Sequence, residues 1–173
     1  EAMAAVGLFG MKVPKEYGGL GFSVTSYARV LGFIGGYCAS TVAFISAHQS
    51  IGVPQPLKEF GTEEQKRKYL PRLAKGEISA FALTEPGVGS DLQSVKTSAV
   101  KDGEGYYTVN GAKTFITNGW NADLVITVAK TNPALGAKGT SLVLVERGMK
   151  GFERGKRLKK LGLKAQDTSE LFF

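Results

Sequence analysis

Apolar positions change their spacing part-way along the chain. Up to about residue 75 they recur at the three- to four-residue interval of amphipathic helices. Glu1 to Phe9 reads as the middle of a helix without an N-cap, and Lys12 to Phe22 as a glycine-rich loop. Ser23 is placed to cap a helix running to about Ile34. A second helix is expected from about Ser40 to about Gly52, with Pro54 and Pro56 breaking or kinking it. The clearest start is Thr62-Glu63-Glu64-Gln65, a capping box, because Gln65 stands three residues after Thr62. Its helix should carry Tyr69 and Leu70, kink at Pro71 and stop at Gly76.

Beyond Gly76 the pattern is that of strands. Ile78 to Thr84 reads as a buried strand. Tyr106 to Thr117 predicts a hairpin turning at Asn110-Gly111, a pair suited to the positive φ of a type I′ turn. Leu124 to Ala129 and Ser141 to Val145 are further strands, Thr131 to Gly139 a loop between them, and Ser169 to Phe173 a last strand. The fold class is therefore α+β, with a helical part over 1–76 and a β part over 77–173. The chain starts inside a helix and stops inside a strand, so it is expected to be a piece of a longer protein.

Composition narrows the function classes. The 173 residues hold 43% hydrophobic and 21% charged residues, which excludes a disordered chain. One cysteine, Cys38, excludes an internal disulfide framework and a cysteine-based zinc site. One histidine, His48, excludes any site that needs two imidazoles. A metal site is not expected. Both single residues are expected to be structural: Cys38 as a small core hydrophobe, His48 packed on its helix. No charge interrupts the stretch between Arg29 and Lys58, but Gly35-Gly36 divides it and no basic cluster flanks it. Two bundle helices are expected there rather than a transmembrane segment.

The net charge is +7, and most of the excess lies in Lys150, Arg154, Lys156, Arg157, Lys159, Lys160 and Lys164, against Glu153 alone. This run is read as a solvated basic surface. Nucleic acid is not expected as a partner, since the run lacks interleaved aromatics and any known module.

Candidate chemistry concentrates in two segments. Phe81 to Asp91 runs from a strand into a loop with Gly87, Gly89 and Ser90, whose backbone N–H groups could turn together as a nest for phosphate oxygens. The spacing is neither that of a dinucleotide-binding fingerprint nor that of a P-loop. Phe115 to Gly119 offers an aromatic ring and the Thr117 hydroxyl, with Thr84 as a comparable hydroxyl on the other strand. A planar heteroaromatic ligand would use such a set. Glu85 is expected to pin the glycine loop rather than act as acid or base.

Four motifs in order along the chain resemble those of the acyl-CoA dehydrogenases. They are Val13-Pro-Lys-Glu-Tyr-Gly-Gly-Leu-Gly21, Phe60-Gly-Thr-Glu-Glu-Gln-Lys66 with Tyr69-Leu-Pro71, Leu83-Thr-Glu-Pro-Gly-Val-Gly-Ser-Asp91, and Phe115-Ile-Thr-Asn-Gly119. A fifth, Lys160 to Phe173, resembles the segment that closes the family's middle domain. Gly148-Met-Lys-Gly-Phe152 and Gly162 to Thr168 look most like the long-chain branch.

The resemblance implies a helical N-terminal domain, an antiparallel β-barrel or sandwich-like middle domain, and a missing C-terminal four-helix domain. It implies FAD as cofactor, with the backbone of Phe81, Ala82, Leu83 and Thr84 beside the flavin and the Thr84 hydroxyl on its pyrimidine side. Phe115, Ile116 and Thr117 would pack along the ring. The family often has Trp where Phe115 stands, so the aromatic face is kept and the ring N–H is lost. Gly89 and Ser90 would meet the FAD pyrophosphate, and Ser90 also the pantetheine phosphate of an acyl-CoA substrate.

The implied reaction is α,β-dehydrogenation of an acyl-CoA thioester in fatty acid β-oxidation. Its catalytic base is expected in the missing domain, so no catalytic residue is assigned here. Alternatives are an acyl-CoA oxidase or flavin monooxygenase of the same fold, or a non-catalytic assembly protein. The resemblance further implies a homo-oligomer, typically a tetramer, and an electron-transfer flavoprotein as acceptor. The compartment would be the cytoplasm in a bacterium or the mitochondrial matrix in a eukaryote.

Overall fold

A computed structural model describes residues 2–173. The helical part holds α1 (Ala2–Ala5), α2 (Val24–Gly35), α3 (Ala39–Ser46), α4 (Pro54–Phe60) and α5 (Glu63–Ala74). Ser23 caps α2, its side chain accepting from the Ser26 amide. Both capping-box bonds open α5: the Gln65 amide donates to Thr62 Oγ1 at 3.2 Å, and the Thr62 amide donates to Gln65 Oε1 at 2.9 Å. Glu63 and Glu64 lie in its first turn, where the helix dipole favours acids. Pro71 sits inside the helix without ending it.

Local structure departs from expectation at three points of this part. Pro54 and Pro56 do more than break a helix. They form the first turn of α4, where the missing N–H is not needed. The expected second helix ends earlier, at Ser46, and passes into a π-helical turn, Ala47–Ile51. Cys38 is exposed just ahead of α3 instead of lying in the core. No helix among the described residues is long and apolar enough to cross a membrane.

The β part forms two sheets. The first contains β1 (Ser79–Ala82), β2 (Ser98–Lys101), β3 (Tyr107–Asn110), β5 (Leu124–Lys130) and β6 (Thr140–Glu146). The second contains β4 (Ala112–Thr117), β7 (Glu153–Arg157) and β8 (Thr168–Phe172). The three-stranded sheet is antiparallel throughout, as expected. The five-stranded sheet is mixed, because β1 and one bridge of β2 run parallel to β5. β5 is buried from Leu124 to Ala129, which suits a strand with neighbours on both edges and covered faces.

The expected hairpin does not form. β3 pairs with β2 in one sheet, while β4 pairs with β8 in the other. Gly111 is the crossing point between them. It exchanges two backbone bonds with Phe173, at 3.1 and 2.9 Å, and its φ of 159° is close to extended rather than that of a primed turn. What demands glycine is crowding: an added Cβ would stand 2.3 Å from Thr97 Oγ1.

One hydrophobic core joins the two parts. Val53, Leu57, Leu70 and Leu73 from the helices pack with Leu124 and Ile126 of β5. A second cluster, with Ala80, Ala82, Ile116, Val125 and Leu171, fills the space between the sheets. Polar ties reinforce the junction. Lys68, Tyr69 and Arg72 of α5 all donate to Glu146 of β6, at 2.9–3.0 Å.

Candidate functional site

β1 leaves its sheet at Ala82 and opens into the loop Leu83 to Asp91. β4 lies alongside, and its register with β8 slips between Lys113 and Ile116, a bulge. A bulge turns a side chain out of the ladder. Here Phe115 takes a left-handed φ of 57°, and the residue is 66% exposed. The position next to it, Thr114, donates its amide to the Thr84 carbonyl at 2.9 Å. That bond holds the loop and the bulge together, so the two segments singled out in the sequence meet in space.

The glycine loop is open on its outer side. Glu85 and Val88 exchange two backbone bonds, at 3.1 and 3.0 Å, which makes a tight turn. The N–H groups of Thr84, Gly87, Gly89 and Ser90 donate to no backbone carbonyl among the described residues. A Cβ built on Gly87 or Gly89 would meet nothing within 4 Å. Solvent-facing donors with room for close approach suit phosphate oxygens, and an exposed ring beside them suits a flat heterocycle. The residues present therefore fit a cofactor such as FAD.

A buried ion pair lies under this loop. Lys113 is 1% exposed, and its Nζ donates to Glu85 Oε1 at 2.9 Å and to the Leu83 carbonyl at 3.0 Å. Glu85 also accepts from the amides of Lys96 and Thr97, at 2.8 and 2.9 Å, and from the Thr97 hydroxyl at 2.6 Å. Burial opposes the Glu85 charge. Lys113, the Thr97 hydroxyl and the two amides outweigh it and hold the carboxyl at about 2. Burial pushes the Lys113 ammonium down from its usual range, against the attraction of Glu85. Glu85 thus pins the loop, as expected.

The candidate residues take different roles by position. Ala82 and Ile116 are buried in the inter-sheet core, and Phe81 packs against the core between helices and sheet. Ala82 and Ile116 therefore have only their backbone to offer a ligand. Leu83, Thr84 and Thr117 are half-buried, while Gly89, Ser90 and Phe115 are exposed. Thr117 pairs with Thr168, and the next residue, Asn118, has a left-handed φ of 64°. The Asn118 Nδ2 donates to the Phe44 carbonyl of α3 at 3.0 Å. Beside that bond a cleft of about 260 Å³ opens, lined by Ser40, Thr41, Phe44, Ile78, Asn121 and Asp167. A wider groove of about 700 Å³, between α5 and β6, contains none of the candidate residues.

Sequence reasoning missed Lys113, Thr97 and Asp167. Asp167 accepts from the Trp120 amide and the Asn121 side chain, both at 2.8 Å, and shapes the turn after Thr117. The one available signal was a lysine, Lys113, inside a segment whose other residues are Ala, Thr, Phe and Ile. The basic run is a largely exposed surface. Arg154 and Arg157 lie over the Trp120 ring, and none of its cations is in an ion pair among the described residues.

The chain is a helical half and a two-sheet half joined by one core, and within the β half the Thr114–Thr84 bond sets the free donors of the glycine loop beside the exposed Phe115. The chain belongs to the acyl-CoA dehydrogenase family: the model of the family's N-terminal domain matches residues 1–77 and that of its middle domain residues 80–173. This family is FAD-dependent. A crystal structure of an acyl-CoA dehydrogenase complexed with FAD from Bacillus anthracis superposes with a TM-score of 0.89 at 39% identity, covering 99% of this chain and 29% of that one.

The long-chain specific mitochondrial enzyme of Sus scrofa is 47% identical over 170 residues, 96% of this chain and 39% of its own length. The short-chain specific enzyme of Clostridium acetobutylicum is 45% identical over 172 residues, 99% of this chain and 45% of its own length. The likeness to long-chain enzymes thus sits beside a nearly equal likeness to a short-chain one. The chain spans less than half the length of the curated relatives it matches.

Proposed function

We propose that the protein carrying this chain dehydrogenates acyl-CoA thioesters at the α,β bond, and that residues 1–76 and 77–173 are two of its domains. The observation that carries this reading is the bond between Thr114 and Thr84, which sets the exposed Phe115 ring beside the free amides of the glycine loop. FAD, when bound, supplies the two-electron acceptor for the hydride that leaves the β-carbon.

The residues of this chain bind and orient. Leu83 and Thr84 hold the pyrimidine edge of the flavin, with the Thr84 hydroxyl as a hydrogen-bonding group. Phe115 covers the ring with an apolar face, and Thr117 offers a hydroxyl beside it. Gly89 and Ser90 hold phosphate oxygens of FAD, and Ser90 also the pantetheine phosphate of the substrate. None of the carboxylates singled out here is assigned the role of base. Glu85 is committed to four donors and stays ionised to about pH 2, which makes it a weak proton acceptor. The base and most of the acyl pocket are assigned to the rest of the protein.

The same reading places the enzyme in fatty acid β-oxidation as a homotetramer that passes electrons to an electron-transfer flavoprotein. It acts in the cytoplasm of a bacterium or the mitochondrial matrix of a eukaryote. The isolated 173 residues bind FAD weakly and do not turn over. The test is anaerobic addition of saturated acyl-CoAs of graded chain length to the whole protein, followed by flavin absorbance. Bleaching supports the reading, and admitting oxygen then separates dehydrogenase from oxidase. A bound flavin that no chain length bleaches overturns it in favour of a monooxygenase. A protein without flavin overturns it in favour of an assembly role.

A further inference from the structure

Three links from two adjacent residues tie β4 to the loop after β1. Lys113 Nζ reaches the Leu83 carbonyl and the Glu85 carboxylate, and the Thr114 amide reaches the Thr84 carbonyl. Glu85 then carries the connection to the start of β2, through both amides and the hydroxyl at Lys96 and Thr97. Three separate chain segments therefore converge on one buried ammonium–carboxylate pair. The pair lies inside the described residues, so its surroundings do not depend on what covers the outer surface.

Stability alone does not account for such a pair. Taking two charges out of water removes most of what their attraction gains, and an apolar pair of similar shape often serves folding as well. What a charged, multiply bonded pair adds is a fixed geometry. Here the fixed quantity is the spacing between the free amides of Thr84, Gly87, Gly89 and Ser90 and the bulge that turns Phe115 outward.

We propose that Lys113, acting through Glu85 and the Leu83 carbonyl, is a positioning residue of the FAD site: it sets the separation between the glycine loop and the Phe115 bulge. This rests on the cofactor site described under Proposed function. Lys113 touches no part of the cofactor. It orders the groups that do.

The test compares the whole protein with Lys113→Met, Glu85→Gln, the double variant Lys113→Met/Glu85→Gln, and the conservative Lys113→Arg. Three quantities are read: FAD affinity from quenching of flavin fluorescence, visible circular dichroism of the bound flavin, and the thermal midpoint at saturating FAD. Removing one partner leaves a buried charge alone, so each single variant melts lower. Removing both charges returns the melting point toward that of the unaltered protein. FAD affinity is expected to fall about tenfold in Lys113→Met, the scale of one lost hydrogen bond to a charged group, and to stay low in the double variant. The flavin dichroism changes with it, and Lys113→Arg restores part of both.

If affinity and dichroism recover in the double variant together with the melting point, the pair is structural only and the proposal fails. If the unaltered protein binds no FAD, the reading of the site fails first, and that outcome is distinct from the other.

Discussion

The Ser79 amide donates to Nδ1 of His48 at 3.1 Å, and the Ser79 hydroxyl lies 2.8 Å from the same nitrogen. This contact ties the π-helical turn to β1, across the border between the helical and β parts. His48 is fully buried, and desolvation lowers it to about 4. The carbonyls of Phe9 and Leu73 favour a ring proton, but Nε2 makes no well-formed hydrogen bond among the described residues, so they do not offset burial.

The sign of the pH dependence follows. The folded chain keeps His48 neutral between its ordinary value of 6.5 and about 4, while the unfolded chain protonates over that range. Stability is fully present above pH 6.5 and is lost as pH falls toward 4, by up to about 3 kcal/mol. Glu85 and Glu146, both held at about 2, add their losses only below 4.5. Denaturant unfolding of the whole protein at pH 7, 5.5 and 4.5 should show the decline, and His48→Gln should flatten it. An unaltered protein equally stable at all three values contradicts this assignment.

Gly111→Ala should destabilise the protein by about 2 kcal/mol, because overpacking a filled site forces backbone or side chains apart. The added methyl would meet Thr97, which also holds Glu85, so the glycine loop should loosen as well. A drop in denaturation midpoint with weaker FAD binding is the expected pair of results. An unchanged midpoint would mean that Thr97 can move aside.

Phe115→Gly should separate stability from binding. The residue holds a left-handed φ, and its ring is mostly exposed. Glycine relieves the strain, so the FAD-free protein should become more stable by a few tenths to about 1 kcal/mol. FAD affinity should fall, because the aromatic face is gone. Melting curves with and without FAD read both effects, and a loss of stability without FAD would show that the ring packs on the fold.

Thr62→Ala removes one arm of the capping box and should cost about 1 kcal/mol. The change is local to α5, so FAD affinity should hold while the denaturation midpoint drops. Thr62→Ser should recover most of the loss.

Elements set by neighbouring residues were legible in the chain. Thr62 and Gln65 lie within one helical turn, so their capping box and the start of α5 could be read directly, as could the Ser23 cap of α2. The helix-to-strand change near Gly76 followed from the spacing of apolar residues. The glycine loop and the Phe115 segment stood out because their residue types suit a phosphate-bearing, planar ligand.

Long-range packing decided the rest. Asn110-Gly111 has the local chemistry of a hairpin turn, but Phe173, at the far end of the chain, takes the Gly111 backbone bonds and sends the two strands to different sheets. Local turn preference is small beside a full ladder of strand bonds and a filled core. Lys113 shows the same limit. A lysine belongs in solvent by composition alone, and only the convergence of Leu83 and Glu85 from another segment makes its burial tolerable. Neighbouring residues were enough to show where α2 and α5 start, where helices give way to strands, which segments carry candidate chemistry and which family they resemble. Only the tertiary structure decided which strands pair, which charge is buried and which ring faces outward, because those outcomes depend on partners far away in the chain.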